Sequence, residues 1–373
     1  MLEDPNLKAT YLVIDALDEC IADLPKLLDF VVRISSDRVK WLLSSRNDVT
    51  IEKKLKSDDR QTRLSLKLKA NVMQVSHAIN MYIDDKVSNL EPLQDNTLLE
   101  DGIPLKDRVR DILRSKADGT FLWVALVVQE LGGEDIESWH VLQIVEEVPL
   151  GLDGMYDRML NEVKRHKRDS ELCRRILSTV TAAYRPLHLA EIGVLSGLPE
   201  HITKSTENVK RIVAKCGSFL TVRDNQIYLI HQSATDFLLD MGTQQAPRDP
   251  FEWVFPLGRE DLHHNILLRS LSAMSAVLRR DMYSLEMPGS SIDDVQTPSS
   301  DQLATVRYSS VFWVNHLRDS ISNKDTLQRN TLDAVQTFVE WKYLYWLEAL
   351  SLLRAMSEGI IAITQLKGII VSL

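Results

Sequence analysis

Positive charge is in deficit in this chain, with 44 Lys and Arg against 53 Asp and Glu and a net charge of −9. Gripping a nucleic-acid backbone or an anionic membrane non-specifically needs a basic field, so neither partner is expected. Cysteine is scarce. Cys20, Cys173 and Cys216 are far apart and follow no metal-ligand spacing, so they read as small buried residues or free thiols suited to a reducing cytoplasm. No uninterrupted apolar run reaches the about 18 residues of a spanning helix, and residues 1–5 lack the basic and apolar regions of a secretory signal. The Gly-x-x-x-x-Gly-Lys-Ser/Thr loop, whose backbone N–H groups and lysine cradle phosphates, occurs nowhere in the sequence. Otherwise the composition is ordinary, 44% hydrophobic and 26% charged, which excludes a disordered or fibrous class. At roughly 100–200 residues per domain, the length suits a small number of compact units.

The residues present are organised around positions 11–20. Tyr11, Leu12, Val13 and Ile14 form an uninterrupted apolar run, which predicts a strand buried on both faces inside a parallel sheet. Asp15 stands at its carboxyl end, the edge where open α/β sheets bind ligands. Asp18 and Glu19 follow within a turn, so three carboxylates are expected in a small volume. Such a cluster suits Mg²⁺, a hard cation held by one or two carboxylates plus substrate phosphates. The plainer reading is an acidic helix start after a buried strand. Leu24, Leu27, Leu28, Val31, Val32 and Ile34 recur at helical spacing, and residues 40–44 form a second short apolar run. Strand, helix, strand predicts a βαβ unit. Arg46 would leave the second strand at the same edge as Asp15, placed either to meet a terminal phosphate or to lie on a surface loop. Residues 64–68 alternate like a half-exposed strand.

Beyond Val72 the pattern is mainly helical. Val75, Ile79, Tyr82, Ile83, Val87 and Leu90 form one stripe, and Val109, Ile112 and Leu113 another. Asp118 and Gly119 then break the chain before a helix to Leu131, in which Phe121 and Trp123 are expected in the core. Pro186 marks a helix start, and two short strand-like runs flanking residues 223–226 predict a β-hairpin. Together these elements suggest a winged-helix unit ending at His231, whose simplest role is structural, at a strand end. Residues 242–256 are expected to form a boundary loop and residues 287–301 a polar surface loop. The aromatic segments 308–317 and 338–347 are expected to be core helices, and residues 359–373 a buried or partner-seeking helix. His263 and His264 are expected to be structural.

The sequence Asp-Ala-Leu-Asp-Glu at 15–19 resembles the Walker B segment of the NACHT family of STAND-type P-loop NTPases, particularly fungal members. Ser44, Ser45, Arg46 and Asn47 resemble that family's sensor 1, and His231 its winged-helix histidine. The resemblance implies an α/β remnant of a P-loop NTPase sheet followed by mostly helical domains including a winged helix. It divides the chain into the end of the nucleotide-binding domain (1–70), a helical domain (71–148), the winged helix (149–245) and a C-terminal helical domain (246–373). It implies that Asp15 serves Mg²⁺, that Asp18 and Glu19 are the catalytic pair, and that Arg46 and His231 contact the phosphates of ATP or ADP. Only residues 1–10 precede the acidic strand, so the sequence is expected to be N-terminally truncated, lacking the phosphate cradle. Nucleotide binding is then expected to be impaired and hydrolysis not to occur. Two functions remain open: a piece of a signal-transducing nucleotide switch of the fungal incompatibility or innate-immunity kind, or a nucleotide-independent scaffold working through protein partners or homo-oligomers. A DNA-binding winged helix is excluded by the acidic charge balance.

Overall fold

Residues Thr10–Ile14 and Val39–Leu43 are extended and pair in parallel as β1 and β2, with Thr10 opposite Val39 and Ile14 opposite Leu43. The computed structural model describes residues 8–20, 23–45, 49–56, 72–94, 97–240, 249–286, 291–321 and 329–372. Contacts divide the chain into Met1–Val75 and Ser76–Leu373, and each unit is considered on its own.

In the first unit β1 and β2 are joined through α1 (Leu24–Ile34), which has a proline in its first turn and buries Leu28, Val31 and Ile34. Parallel strands require such a crossover. Leu17, Leu28 and Ile51 are buried, with Ile14, Leu24, Leu27, Leu43 and Leu55 packed against them; Ile51 and Leu55 come from α2 (Val49–Lys56). The predicted βαβ order is therefore present, but burial of β1 on both faces is not. Tyr11 is 70% and Val13 68% exposed, and Leu42 of β2 is 68% exposed. Side chains alternate across a strand, and α1 covers only the face carrying Ile14 and Leu43. An uninterrupted apolar run does not reveal whether a second layer covers it. The strand expected at 64–68 lies outside the described residues.

The second unit is mostly helical. The stripe at Ile79, Ile83 and Val87 is buried on α3 (Val72–Asn89), and Val109 and Leu113 are buried on α4 (Leu105–Lys116). Asp118 and Gly119 have positive φ, 45° and 71°, and turn the chain into α5 (Phe121–Leu131). Trp123 is fully buried and its indole N–H donates to the Pro149 carbonyl at 3.0 Å. Phe121, expected in the core, is instead 44% exposed, lying edge-on to Tyr82 with centroids 5.6 Å apart. As the first residue of α5, it faces away from the buried side.

The Lys116 ammonium closes the carboxyl end of α6 (Ser138–Glu147), donating to the carbonyls of Val145, Glu146 and Val148 at 3.1, 2.6 and 2.8 Å. These acceptors have no partner within their own helix, and the helix dipole favours a cation there. Lys116→Met, which keeps the aliphatic stem, is expected to lower unfolding free energy by about 1–2 kcal/mol, read from urea denaturation.

After α7 (Gly151–Lys164) and α8 (Ser170–Ala182), the chain forms strand β3 (Leu187–His188), helices α9 (Leu189–Leu195), α10 (Glu200–Thr203) and α11 (Thr206–Ala214), and the hairpin β4 (Leu220–Arg223) and β5 (Gln226–Leu229). The strands form one antiparallel sheet in the order β3-β5-β4. Asp224 and Asn225 turn the hairpin with φ of 50° and 61°, the geometry of a two-residue turn that matches strand twist. Where Pro186 suggested a helix start, residues 187–188 first add a strand to this sheet. A Cβ on Gly193 would stand 2.5 Å from Thr203 Cγ2, so α9 and α10 meet where no side chain fits. Helices α12 (Gln232–Leu239) and α13 (Asp249–Val254) follow.

The remaining core is built from α14 (Gly258–Val277), α15 (Arg307–Asp319), α16 (Arg329–Leu352) and α17 (Met356–Ser372). Trp313 and Trp346 are fully buried and meet edge-on at 5.6 Å. The Trp346 indole also donates to the Ser310 carbonyl at 2.7 Å. The aromatic segments are therefore helices that contribute to the core, though Trp341 and Leu344 of α16 stand 75% and 73% exposed.

A buried polar network ties α15 to α9. Glu191 is 1% exposed. Its carboxylate accepts two hydrogen bonds from Arg185, at 2.6 and 2.9 Å, and one from each backbone N–H of His188 and Tyr308, at 2.8 and 3.0 Å. The Tyr308 hydroxyl bonds His316 Nε2 at 2.7 Å, and His316 Nδ1 lies 2.8 Å from Nδ1 of His263. His263 is buried within this network.

Candidate functional site

The carboxyl ends of β1 and β2 bring together the residues singled out in the sequence. Because Ile14 is opposite Leu43, the next residues, Asp15 and Ser44, stand side by side. The Ser44 hydroxyl donates to Asp15 Oδ1 and accepts the Ala16 N–H at 2.8 Å. Its backbone N–H donates to Ile14 O at 3.0 Å, and its carbonyl accepts from Leu17 N–H at 2.9 Å. Four hydrogen bonds therefore fix this serine to the segment carrying the carboxylate. Ala16 turns the chain with φ 53° and ψ 55°, the left-handed region that most side chains avoid, and a short 3₁₀ turn at Leu17–Glu19 follows.

Asp15 is exposed, Asp18 is half-buried and Leu17 is fully buried. The turn thus anchors its leucine in the core, while Asp15 before it stands exposed at the sheet edge. The position of the Glu19 side chain, and all of Arg46, lie outside the described residues. Among the described residues, no three His, Cys, Asp or Glu side chains gather into a metal-holding group. Among the described residues, Asp15 offers this edge an exposed carboxylate with the Ser44 hydroxyl bonded to it. Hard oxygen donors of this kind suit Mg²⁺, which keeps much of its water shell and takes few protein ligands.

Ser44 was not assigned a role from sequence. The available signal was register: the first residue beyond a parallel neighbour strand must stand beside Asp15. Ser44→Ala is expected to leave the fold intact and to lower the stability of the first unit by about 1 kcal/mol. Hydrogen exchange at Ala16 should accelerate, because its N–H loses its acceptor.

His231 belongs to the second unit and begins α12. Its Nδ1 accepts the Ser233 N–H at 3.1 Å and lies 2.7 Å from Ser233 Oγ, which is 2.9 Å from the Tyr156 hydroxyl. The imidazole is exposed, with Nδ1 occupied by the helix cap and Nε2 on its other side. A structural reason for His231 is therefore present, and the same cap orients Nε2 for donation to an anion.

The chain is 44% identical to the vegetative incompatibility protein HET-E-1 of Podospora anserina over 379 aligned residues, covering 99% of this chain and 27% of that protein. It therefore spans about a quarter of that relative's length. No family model matches the chain, and no solved structure matches it. Among the described residues, no helix is long and apolar enough to cross a membrane.

Proposed function

We propose that this chain is part of a NACHT-type nucleotide switch used in fungal incompatibility-like signalling. The observation that carries the reading is the Asp15–Ser44 pair at the carboxyl ends of two parallel strands. The similarity to a vegetative incompatibility protein supports the signalling context. In this reading residues 1–70 are the end of the nucleotide-binding domain, 71–148 a helical domain, 149–245 a winged helix and 246–373 a C-terminal helical domain. The sheet order β3-β5-β4, with α9 and α11 before the hairpin, supports the winged-helix assignment.

Asp15 would hold Mg²⁺, and Asp18 and Glu19 would stand on the side of the attacking water. Arg46 would meet a phosphate oxygen of ATP or ADP, and His231 Nε2, in the second unit, would donate to an anion. Bound Mg²⁺ would neutralise charge on those phosphates. Ser44 keeps one Asp15 oxygen engaged and so fixes the direction of the carboxylate. The sequence holds no Gly-Lys-Ser/Thr cradle, so nucleotide binding by this chain is expected to be impaired and hydrolysis by it is not expected. A thermal shift in millimolar Mg²⁺ and ADP tests this. The melting temperature should rise with both present, and neither alone should act. Asp15→Ala should abolish the shift. A shift that survives Asp15→Ala would refute the assignment.

A second reading, a nucleotide-independent scaffold, is favoured by the apolar residues that α16 and α17 expose. Trp341, Leu344, Ile360 and Ile361 are each more than half exposed, and exposed apolar patches mark interaction surfaces. Sedimentation velocity separates the two: this reading requires self-association, without nucleotide, that Trp341→Glu weakens.

A further inference from the structure

Cys173 on α8 and Cys216, just beyond the end of α11, are both fully buried. They lie 43 positions apart but share one small space. The Cys216 thiol points at the Cys173 carbonyl at 3.8 Å and at the Ile212 carbonyl at 3.6 Å. The Cys173 thiol approaches the same Ile212 carbonyl at 4.0 Å, so both sulfurs converge on one backbone oxygen. Neither belongs to the candidate site, and both are free thiols.

The pair is asymmetric. The neighbouring Cys216 lowers the Cys173 pKa against burial and Asp169, with Lys215 helping, whereas burial pushes the Cys216 thiol up. Of the two, Cys173 gives up its proton more readily. Lys215 pairs with Asp169 at the surface, and Gly217 turns the chain with φ 65°. A small oxidant would reach the pair through local opening of this corner.

We infer that Cys173 and Cys216 form a dithiol site that closes to an intramolecular disulfide with a small peroxide. The Cys173 thiolate attacks one peroxide oxygen and breaks the O–O bond, giving a sulfenic acid and, after protonation, water. The Cys216 sulfur then attacks Cys173 Sγ, forming the S–S bond and releasing a second water. Two thiols lose two electrons in total and hydrogen peroxide gains them. The product staples α8 to the end of α11, next to the β4–β5 hairpin.

The test treats the purified full chain with hydrogen peroxide, then denatures it in iodoacetamide and measures its mass. Wild type should lose two of its three alkylatable thiols, dithiothreitol should restore them, and non-reduced peptide mapping should link residues 173 and 216. Cys20→Ser should still lose both of its thiols. Cys216→Ser should lose none to an intramolecular link. The mapping uses the wild-type chain, so the result does not depend on a variant folding. Retention of both thiols, oxygenation of either without linkage, or a link to Cys20 would overturn the inference.

Discussion

Glu191→Ala is expected to lower unfolding free energy by about 3–5 kcal/mol, a large share of what a domain possesses. The carboxylate is almost wholly enclosed and is bonded to Arg185 and to the N–H groups of His188 and Tyr308. Removing it leaves a guanidinium over the Tyr308 ring, 5.2 Å from its centroid, and two backbone donors without their acceptor. The harm comes from stranding those partners more than from losing the pair's attraction. Arg185→Ala combined with Glu191→Ala should therefore be less destabilising than the sum of the single changes. Urea denaturation of the three variants measures this coupling. Strict additivity would show that the pair does not act as a unit.

Acid is expected to destabilise the second unit through His316 and His263. Burial lowers the His316 pKa from the usual 6.5 to about 3, helped by the neighbouring His263, and burial also lowers His263. Both therefore stay neutral in the fold at pH values where the unfolded chain takes up protons. Stability is complete above about pH 6.5 and falls as pH drops toward the folded-state value. The slope for His316 alone is about 1.4 kcal/mol per pH unit, or roughly 3 kcal/mol by pH 4. Asp319 also faces the pair and opposes both shifts, while Arg318 adds to them. His316→Asn should be less stable than wild type at pH 8 but flatter between pH 6.5 and 4. An unchanged slope would mean that the acid sensitivity lies elsewhere.

Local pattern made much of this architecture legible. The six apolar positions of α1, the turn at Asp224 and Asn225, and the aromatic helices carrying Trp313 and Trp346 all follow from periodicity and turn chemistry, because those constraints act between near neighbours. Features that depend on distant chain were not legible. Glu191 meets the N–H of Tyr308, 117 positions away, and nothing near either residue announces the meeting. Exposure of Tyr11 and Val13 contradicted a reading based on an unbroken apolar run, because a run records affinity for burial and not the presence of a cover. At the candidate site, Asp15 was marked by its place after a strand. Its partner Ser44 needed the strand register, and His231 proved to carry a helix cap that a one-dimensional reading placed only at a strand end.

Hydrogen–deuterium exchange of the full chain, with and without millimolar Mg²⁺ and ADP, tests the nucleotide reading most directly. Slowed exchange at residues 15–20 and 44–45, requiring both Mg²⁺ and nucleotide and absent in Asp15→Ala, is the predicted result. Unchanged exchange in a folded chain, or protection confined to segments remote from these strand ends and from His231, would contradict it.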